Sequence, residues 1–234
     1  MGVVLEDNIL HVVLYGGMQM NVSKFIIMCG GTYPFWKTPK QLLEIDGEPI
    51  VARTIRLLRE NGVEDIAISS NNDVFEQFGV PVLHHRNTFV GRAYNDYDGY
   101  WCEAFYPTYD PACYIFGDVV FSPEAIKKIV ETETDSIEFF ASAPPFSKRF
   151  RKKSAEPFAL KVVDQEGFIS YIEMCKALDR EGFFKRKPIM WELWQVIKGT
   201  PLNIIDYSNY VVINDYTCDI DGMGDLAYFQ GVKR

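Results

Sequence analysis

Residues Phe25-Ile26-Ile27-Met28-Cys29 form an unbroken apolar run that stops at Gly30-Gly31. A strand wetted on one face alternates apolar and polar side chains. A short run without alternation needs cover on both faces, which points to a strand of a parallel sheet lying between layers of helix. The pattern then repeats along the chain. Residues Pro49 to Asn61 place Ile50, Val51, Ile55, Leu57 and Leu58 among Arg53, Arg56, Arg59 and Glu60, which predicts a surface helix ended by Asn61-Gly62. Ile66-Ala67-Ile68 predicts a second buried strand, closed by the polar turn Ser69 to Asn72. Val80 to Leu83 predicts a third, pushed to a sheet edge by Pro81. Cys113 to Phe116 predicts a fourth, ending at Gly117-Asp118, after which Ser122-Pro123-Glu124 opens a helix through Val130. Phe139 to Ala143 predicts a fifth.

Strands alternating with helices at this spacing require right-handed parallel crossovers. The expected fold is therefore α/β, an open, mostly parallel, Rossmann-like sheet flanked by helices. Such sheets bind ligands at the carboxyl ends of their strands, where Gly30-Gly31 and Gly117-Asp118 both fall. After Pro144 the pattern becomes α+β. Phe158–Val163 and Gly167–Ile172 read as two strands around Asp164-Gln165-Glu166, and Pro188–Ile197 as a helix whose Trp191 and Trp194 pack in the core. Leu202–Ile205 and Tyr210–Ile213 are further strand candidates, and a short helix follows near Asp225–Phe229. Residues 1–22 are either a hairpin turning at Asp7-Asn8 and ended by Gly16-Gly17 or an extension before the fold. Residues 23–234 are read as one domain, with a first half at 23–145 and a second half at 146–234.

Charge and composition exclude several partners. Lys and Arg number 24 against 32 Asp and Glu, a net charge of −8. Nucleic-acid and anionic-membrane binding both need clustered positive charge, so neither is expected. No uncharged apolar stretch reaches the ~18 residues of a spanning helix, and Glu6 and Asp7 precede Val12-Val13-Leu14 where a signal peptide would be basic. Cys29, Cys102, Cys113, Cys175 and Cys218 are odd in number and scattered, with no C-x-x-C pair and three histidines in all. They read as buried reduced thiols of a cytoplasmic protein.

Three segments carry the chemistry. Glycines after a buried strand let backbone N–H groups approach a phosphate, and Lys40 can fold back to neutralise it. Gly30-Gly31-Thr32, Pro39-Lys40-Gln41-Leu42-Leu43 and Ile45-Asp46-Gly47-Glu48-Pro49-Ile50, with Gly62-Val63-x-Asp65-Ile66 beyond, resemble the opening signature of the nucleotidyltransferases that make nucleotide sugars and CDP-alcohols. The resemblance implies that Gly30, Gly31, Thr32 and Lys40 bind nucleotide. It also implies that Asp118, in Tyr114-Ile115-Phe116-Gly117-Asp118, is a Mg²⁺ ligand. Cys218-Asp219-Ile220-Asp221-Gly222-Met223-Gly224-Asp225-Leu226 resembles the closing I-D-x-x-x-D-L segment of the family, which makes Asp221 the second metal ligand, Asp219 a nearby substitute and Asp225 a helix-start residue. Two carboxylates suit a hard octahedral cation that also takes phosphate oxygens. Phe158–Val163 with Ile172-Glu173 resembles the acceptor-binding section, which implicates Lys161 and Glu173. One departure stands out. Tyr33 occupies the place where the family carries a triphosphate-binding arginine, and Lys37 or Arg92 is a candidate to replace that charge.

Other features stay open to two readings. The basic run Lys148, Arg149, Arg151, Lys152 and Lys153 is either a solvated loop or a lid that clamps phosphate. The aromatic stretch Tyr94, Tyr97, Tyr100, Trp101, Phe105, Tyr106 and Tyr109 is either ordinary packing or a cage for a quaternary ammonium. His84 and His85 read as strand-end residues. The leading expectation is a Mg²⁺-dependent nucleotidyltransferase that couples a nucleoside triphosphate to a sugar phosphate or phospho-alcohol with release of pyrophosphate. The alternatives are a glycosyltransferase of the same fold and a nucleotide-binding relative without turnover. Gly117-Asp118-Val119-Val120 lacks the second Asp of the D-x-D motif typical of glycosyltransferases, and glycosyl transfer releases no pyrophosphate.

Overall fold

The computed structural model describes residues 22–30, 36–84, 101–142 and 155–231. In chain order these give strands β1 (Lys24–Met28), β2 (Glu44–Ile45) and β3 (Glu48–Pro49), helix α1 (Ile50–Glu60), strands β4 (Asp65–Ser69), β5 (Val82–Leu83), β6 (Ala112–Phe116) and β7 (Val119–Val120), and helix α2 (Pro123–Glu131). There follow β8 (Ile137–Ala141), β9 (Pro157–Val162), α3 (Gln165–Arg180), α4 (Met190–Lys198), β10 (Val211–Val212), β11 (Cys218–Asp219) and α5 (Met223–Gly231). The main sheet has seven strands in the order β10-β8-β9-β6-β1-β4-β5. It is parallel except for β9, which runs antiparallel to both β6 and β8.

This is the open, mostly parallel α/β sheet that the apolar runs predicted. The side chains of β1 and β6 are buried along almost their whole length, as two-sided cover demands. Helix α1 turns Ile50, Val51, Ile55 and Leu58 to the sheet and stops where Gly62 takes a φ of +79°, with its N–H donating to the Arg59 carbonyl. Helix α2 starts as its sequence says: Pro123 lies in its first turn, and the Ser122 hydroxyl accepts the Ala125 N–H at 2.9 Å. Strand β5 is at the sheet edge and begins just past Pro81, whose carbonyl still accepts from Ile68 at 2.9 Å. Trp191 and Trp194 pack on Phe139, with ring centroids 5.1 and 5.3 Å away. All five cysteines are buried free thiols. Among the described residues no helix is long and apolar enough to cross a membrane.

The second half departs from the reading in one place that matters. Gly167–Ile172 is not the return strand of a hairpin but part of the 16-residue helix α3. Asp164 caps it by accepting the Gly167 N–H at 2.9 Å, and Glu166 sits in the first turn, where negative charge meets the helix dipole. Phe168, Ile172, Cys175 and Leu178 fall on one face at helical spacing and turn inward. Asp-Gln-Glu-Gly is thus a helix start, although the same residues also suit a tight turn. Leu202–Ile205 forms no strand either, and the strand expected at Tyr210–Ile213 shortens to β10. The segment read as a hairpin or extension at residues 1–22 lies outside the described residues except for Val22.

Replacing the helix cap, Asp164→Ala, is expected to lower the unfolding free energy by about 1 kcal/mol in urea denaturation. An unchanged midpoint would show that α3 does not depend on this cap.

Candidate active site

The site is built where the sheet order reverses. Strand β1 has β4 on one side and β6 on the other, so the crossovers diverge at the carboxyl ends of β1 and β6. Met28 pairs with Phe116, and Gly30 and Asp118 leave the sheet two residues later, side by side. Gly117 makes that approach possible. Its N–H donates to the Met28 carbonyl at 3.1 Å. A Cβ on it would stand 2.6 Å from that carbonyl oxygen and 2.8 Å from Cys29 Sγ. The Cys29 thiol is fully buried, and burial first, then the charge of Asp118, push its pKa well up; it stays protonated and is no nucleophile.

Lys40 enters from a single 3₁₀ turn, Lys40–Leu42, that follows Pro39. Its side chain is 1% exposed, and its ammonium lies 2.7 Å from Asp118 Oδ2 and 3.9 Å from Asp221 Oδ1. A buried ammonium needs a carboxylate partner, and two converge on this one.

Asp221 reaches the site through a separate two-stranded ribbon. β11 runs antiparallel to β7, with Cys218 opposite Val120 and Asp219 opposite Val119, and the Ile220 N–H donates to the Asp118 carbonyl at 3.0 Å. Asp225, in the first turn of α5, accepts the N–H groups of Asp221 at 3.0 Å and Gly222 at 3.1 Å, which fixes the backbone that carries the Asp221 carboxylate.

The structure thus brings together Lys40, Asp118 and Asp221, three residues read from distant parts of the sequence, with Gly30 beside them. Gly31 and Thr32 lie outside the described residues, as do Tyr33, Arg92, His85, the aromatics Tyr94, Tyr97 and Tyr100, and the basic run at 148–153. Of the aromatic stretch, Trp101 and Phe105 pack against Phe116 and Tyr114 as ordinary core contacts. Lys37 and His84 are exposed.

Lys161 and Glu173, which the resemblance assigned to the acceptor, are not at the site. Lys161 pairs with Cys113, near the amino end of β6, five residues from Asp118 and ~16 Å along the strand direction. Its side chain is buried, and its ammonium donates to the carbonyls of Val130 and Thr132, closing the C-terminal end of α2. Burial holds its pKa below the usual lysine value. Glu173 sits on the exposed face of α3, 2.9 Å from the Lys176 ammonium. Lys161 lies on β9 and Glu173 on α3, and the contacts of each are made away from Lys40, Asp118 and Asp221.

Glu156 is the residue the sequence reading missed. Because β9 is antiparallel, the residue just before it lands at the same edge as the carboxyl ends of the parallel strands, and Glu156 is held there by mutual hydrogen bonds with Ser142 at 2.9 and 3.0 Å. Its carboxylate, with those of Asp219 and Asp221, offers three oxygens all within 4.8 Å of one another. The only signal for it in the sequence was an acid directly ahead of a buried strand, and that signal speaks only once the strand direction is known.

Residues 25–144, just over half of the chain, match the MobA-like NTP transferase domain, and the protein belongs to that family of nucleotidyltransferases. No curated protein sequence matches the chain. Among solved structures it is similar to a Bacillus anthracis protein assigned as a glucose-1-phosphate thymidylyltransferase and solved with a sucrose, at 19% identity over 90% of this chain and 96% of that one, TM-score 0.54. It is also similar to the inositol-1-phosphate CTP transferase from T. maritima, at 15% identity over 93% and 100% of the two chains, TM-score 0.51. A third is the CTP:phosphocholine cytidylyltransferase LicC from Streptococcus pneumoniae, at 17% identity over 89% and 98%, TM-score 0.50. At these identities the likeness is one of fold.

Two substitutions check the geometry. Gly117→Ala is expected to cost about 1–3 kcal/mol, because its methyl meets backbone rather than a movable side chain, and to depress turnover by displacing Asp118. Lys161→Met should lower stability by about 1–3 kcal/mol by stripping two partly buried carbonyls of their donor, with the KM for acceptor unchanged; a raised acceptor KM at unchanged stability would restore Lys161 to the site.

Proposed function

We propose that this nucleotidyltransferase joins a nucleoside monophosphate unit to a phosphorylated small-molecule acceptor, with a divalent cation held by Asp118 and Asp221. The observation that carries the reading is the convergence of Lys40, Asp118 and Asp221, from a turn, a strand end and a remote ribbon, on the switch point between β1 and β6. The donor set fits the cation. Every candidate ligand is a carboxylate oxygen, the choice of hard ions such as Mg²⁺, and Glu156 and Asp219 add further negative charge beside Asp221. Such a concentration of carboxylates around the Lys40 ammonium favours a bound cation electrostatically.

In the proposed reaction an acceptor phosphate oxygen attacks the α-phosphorus of the triphosphate. The new P–O bond forms as the bond to the β-phosphate bridging oxygen breaks, and pyrophosphate leaves with the electron pair. No protein nucleophile is needed; positioning and charge neutralisation do the work. A bound Mg²⁺ supplies Lewis-acid stabilisation of phosphate oxygens. The backbone at Gly30 and Gly31 is the proposed phosphate cradle, with Thr32 beside it. Lys40 holds a positive charge at a fixed place, because its stem is buried and its turn is braced by Pro39, so little reorganisation is needed as charge shifts toward the leaving group. Asp118 and Asp221 also hold Lys40 in that place.

The acceptors in the names of the three structural neighbours are glucose 1-phosphate, inositol 1-phosphate and phosphocholine, whose shared element is a phosphate monoester on a small alcohol. That element is what we carry over. Its entry side is the half of the site bounded by Glu156 and β8–β10, opposite the Gly30 loop. Five buried thiols fit a reducing, cytoplasmic setting.

Asp118→Ala should reduce metal-dependent pyrophosphate release from a panel of the four nucleoside triphosphates and phosphorylated alcohols by at least about 100-fold, a typical loss for an electrostatic group acting on the transition state. Full turnover in a folded Asp118→Ala protein would remove this residue from the reaction.

A further inference from the structure

The ribbon that delivers Asp221 is two residues long on each side, too short to hold its own register. A slip of one residue would turn every side chain of β11 to the opposite face and carry the Asp221 carboxylate away from Lys40. What fixes the register lies at the other end of the ribbon. Ser122, fully buried, donates its backbone N–H to Thr217 Oγ1 at 3.0 Å and its hydroxyl to Asp215 Oδ2 at 2.6 Å. Thr217, also fully buried, donates its backbone N–H to Asp215 Oδ1 at 2.7 Å. The three hydrogen bonds close a ring between chain segments more than 90 residues apart. The Ser122 oxygen accepts the Ala125 N–H as well, so the ring is anchored to the first turn of α2, where the Asp215 carboxylate also meets the positive end of the helix.

Ser122 lies four residues beyond Asp118, and Thr217 four residues before Asp221. Ring and carboxylates therefore occupy opposite ends of one antiparallel ribbon, ~13 Å apart. We propose that the Ser122–Asp215–Thr217 ring is the register pin of the active site, and that Asp215 and Thr217 are positioning residues that set Asp221 against Asp118 without touching substrate. This rests on the metal-holding role of Asp118 and Asp221 proposed above. The hydroxyl of Thr217 and the carboxylate of Asp215 are each the acceptor that Ser122 or Thr217 needs. Removing one leaves a buried donor unpaired and frees the ribbon to shift.

The test uses the full chain and the isosteric variants Thr217→Val and Asp215→Asn, with Thr217→Ser as the conservative control. Two quantities are read. One is Mn²⁺ binding to the nucleotide-free protein by calorimetry, and the other is the apparent Mg²⁺ constant for pyrophosphate release. Both are expected to weaken about ten-fold in Thr217→Val and Asp215→Asn, as for other residues that orient metal ligands, while KM for the triphosphate at saturating Mg²⁺ stays put. Thr217→Ser should restore wild-type constants. A lower melting temperature with unchanged metal constants in both folded variants would overturn the pin, since a purely structural ring moves stability alone. Asp118→Ala separates the two failures: if it binds Mn²⁺ like the wild type, the metal reading itself is wrong, whereas loss of binding there with none in the ring variants refutes the pin and leaves the metal reading standing.

Discussion

The proposed active site depends on an ammonium taken out of water. Lys40 is 1% exposed, and an isolated charge in that position would cost several kcal/mol. Asp118 at 2.7 Å and Asp221 at 3.9 Å make it tolerable, so neither carboxylate is free to be elsewhere while the lysine stays buried. The strand end, the 3₁₀ turn and the late ribbon are tied into one electrostatic unit. That unit is pre-organised in the sense that matters for phosphoryl-type transfer, where charge must already be in place when the leaving group departs.

The same constraint explains the local backbone. Beside Asp118, Gly117 lies so close to the backbone of β1 that no side chain fits there. The usual account of glycine as a flexible hinge does not apply at this position. Gly117 is there for what it lacks, since the Met28 carbonyl and the Cys29 sulfur already fill the space. Cys29 in turn is a neutral spacer beneath Asp118, kept protonated by its burial.

Much of this was legible in the residues. The two-sided apolar runs of β1, β4 and β6 specify a parallel sheet, and the glycines and acids that end them fall at the edge where such sheets bind ligands. Lys40, Asp118 and Asp221 could be matched to a known motif one by one, and the fold puts them together. The second half resisted because it lacks that redundancy. Asp164-Gln165-Glu166-Gly167 serves equally as turn or helix cap, and only the inward stripe of Phe168, Ile172 and Cys175 decides for the helix. Lys161, which the resemblance set facing the acceptor, is the internal plug for the end of α2, and only long-range packing reveals that. Glu156 and the Ser122–Asp215–Thr217 ring were invisible for another reason. Both exist only through pairings between segments far apart in sequence, and no local pattern records the direction of β9 or the partner of β7.

The order of the chain along the ribosome gives the ribbon a further meaning. All seven strands of the main sheet, the last of them β10 at Val211–Val212, precede Asp215 in the chain. A nascent chain can therefore pair its main sheet while the proposed metal site still lacks Asp221, and that site is completed only when β11 pairs with β7.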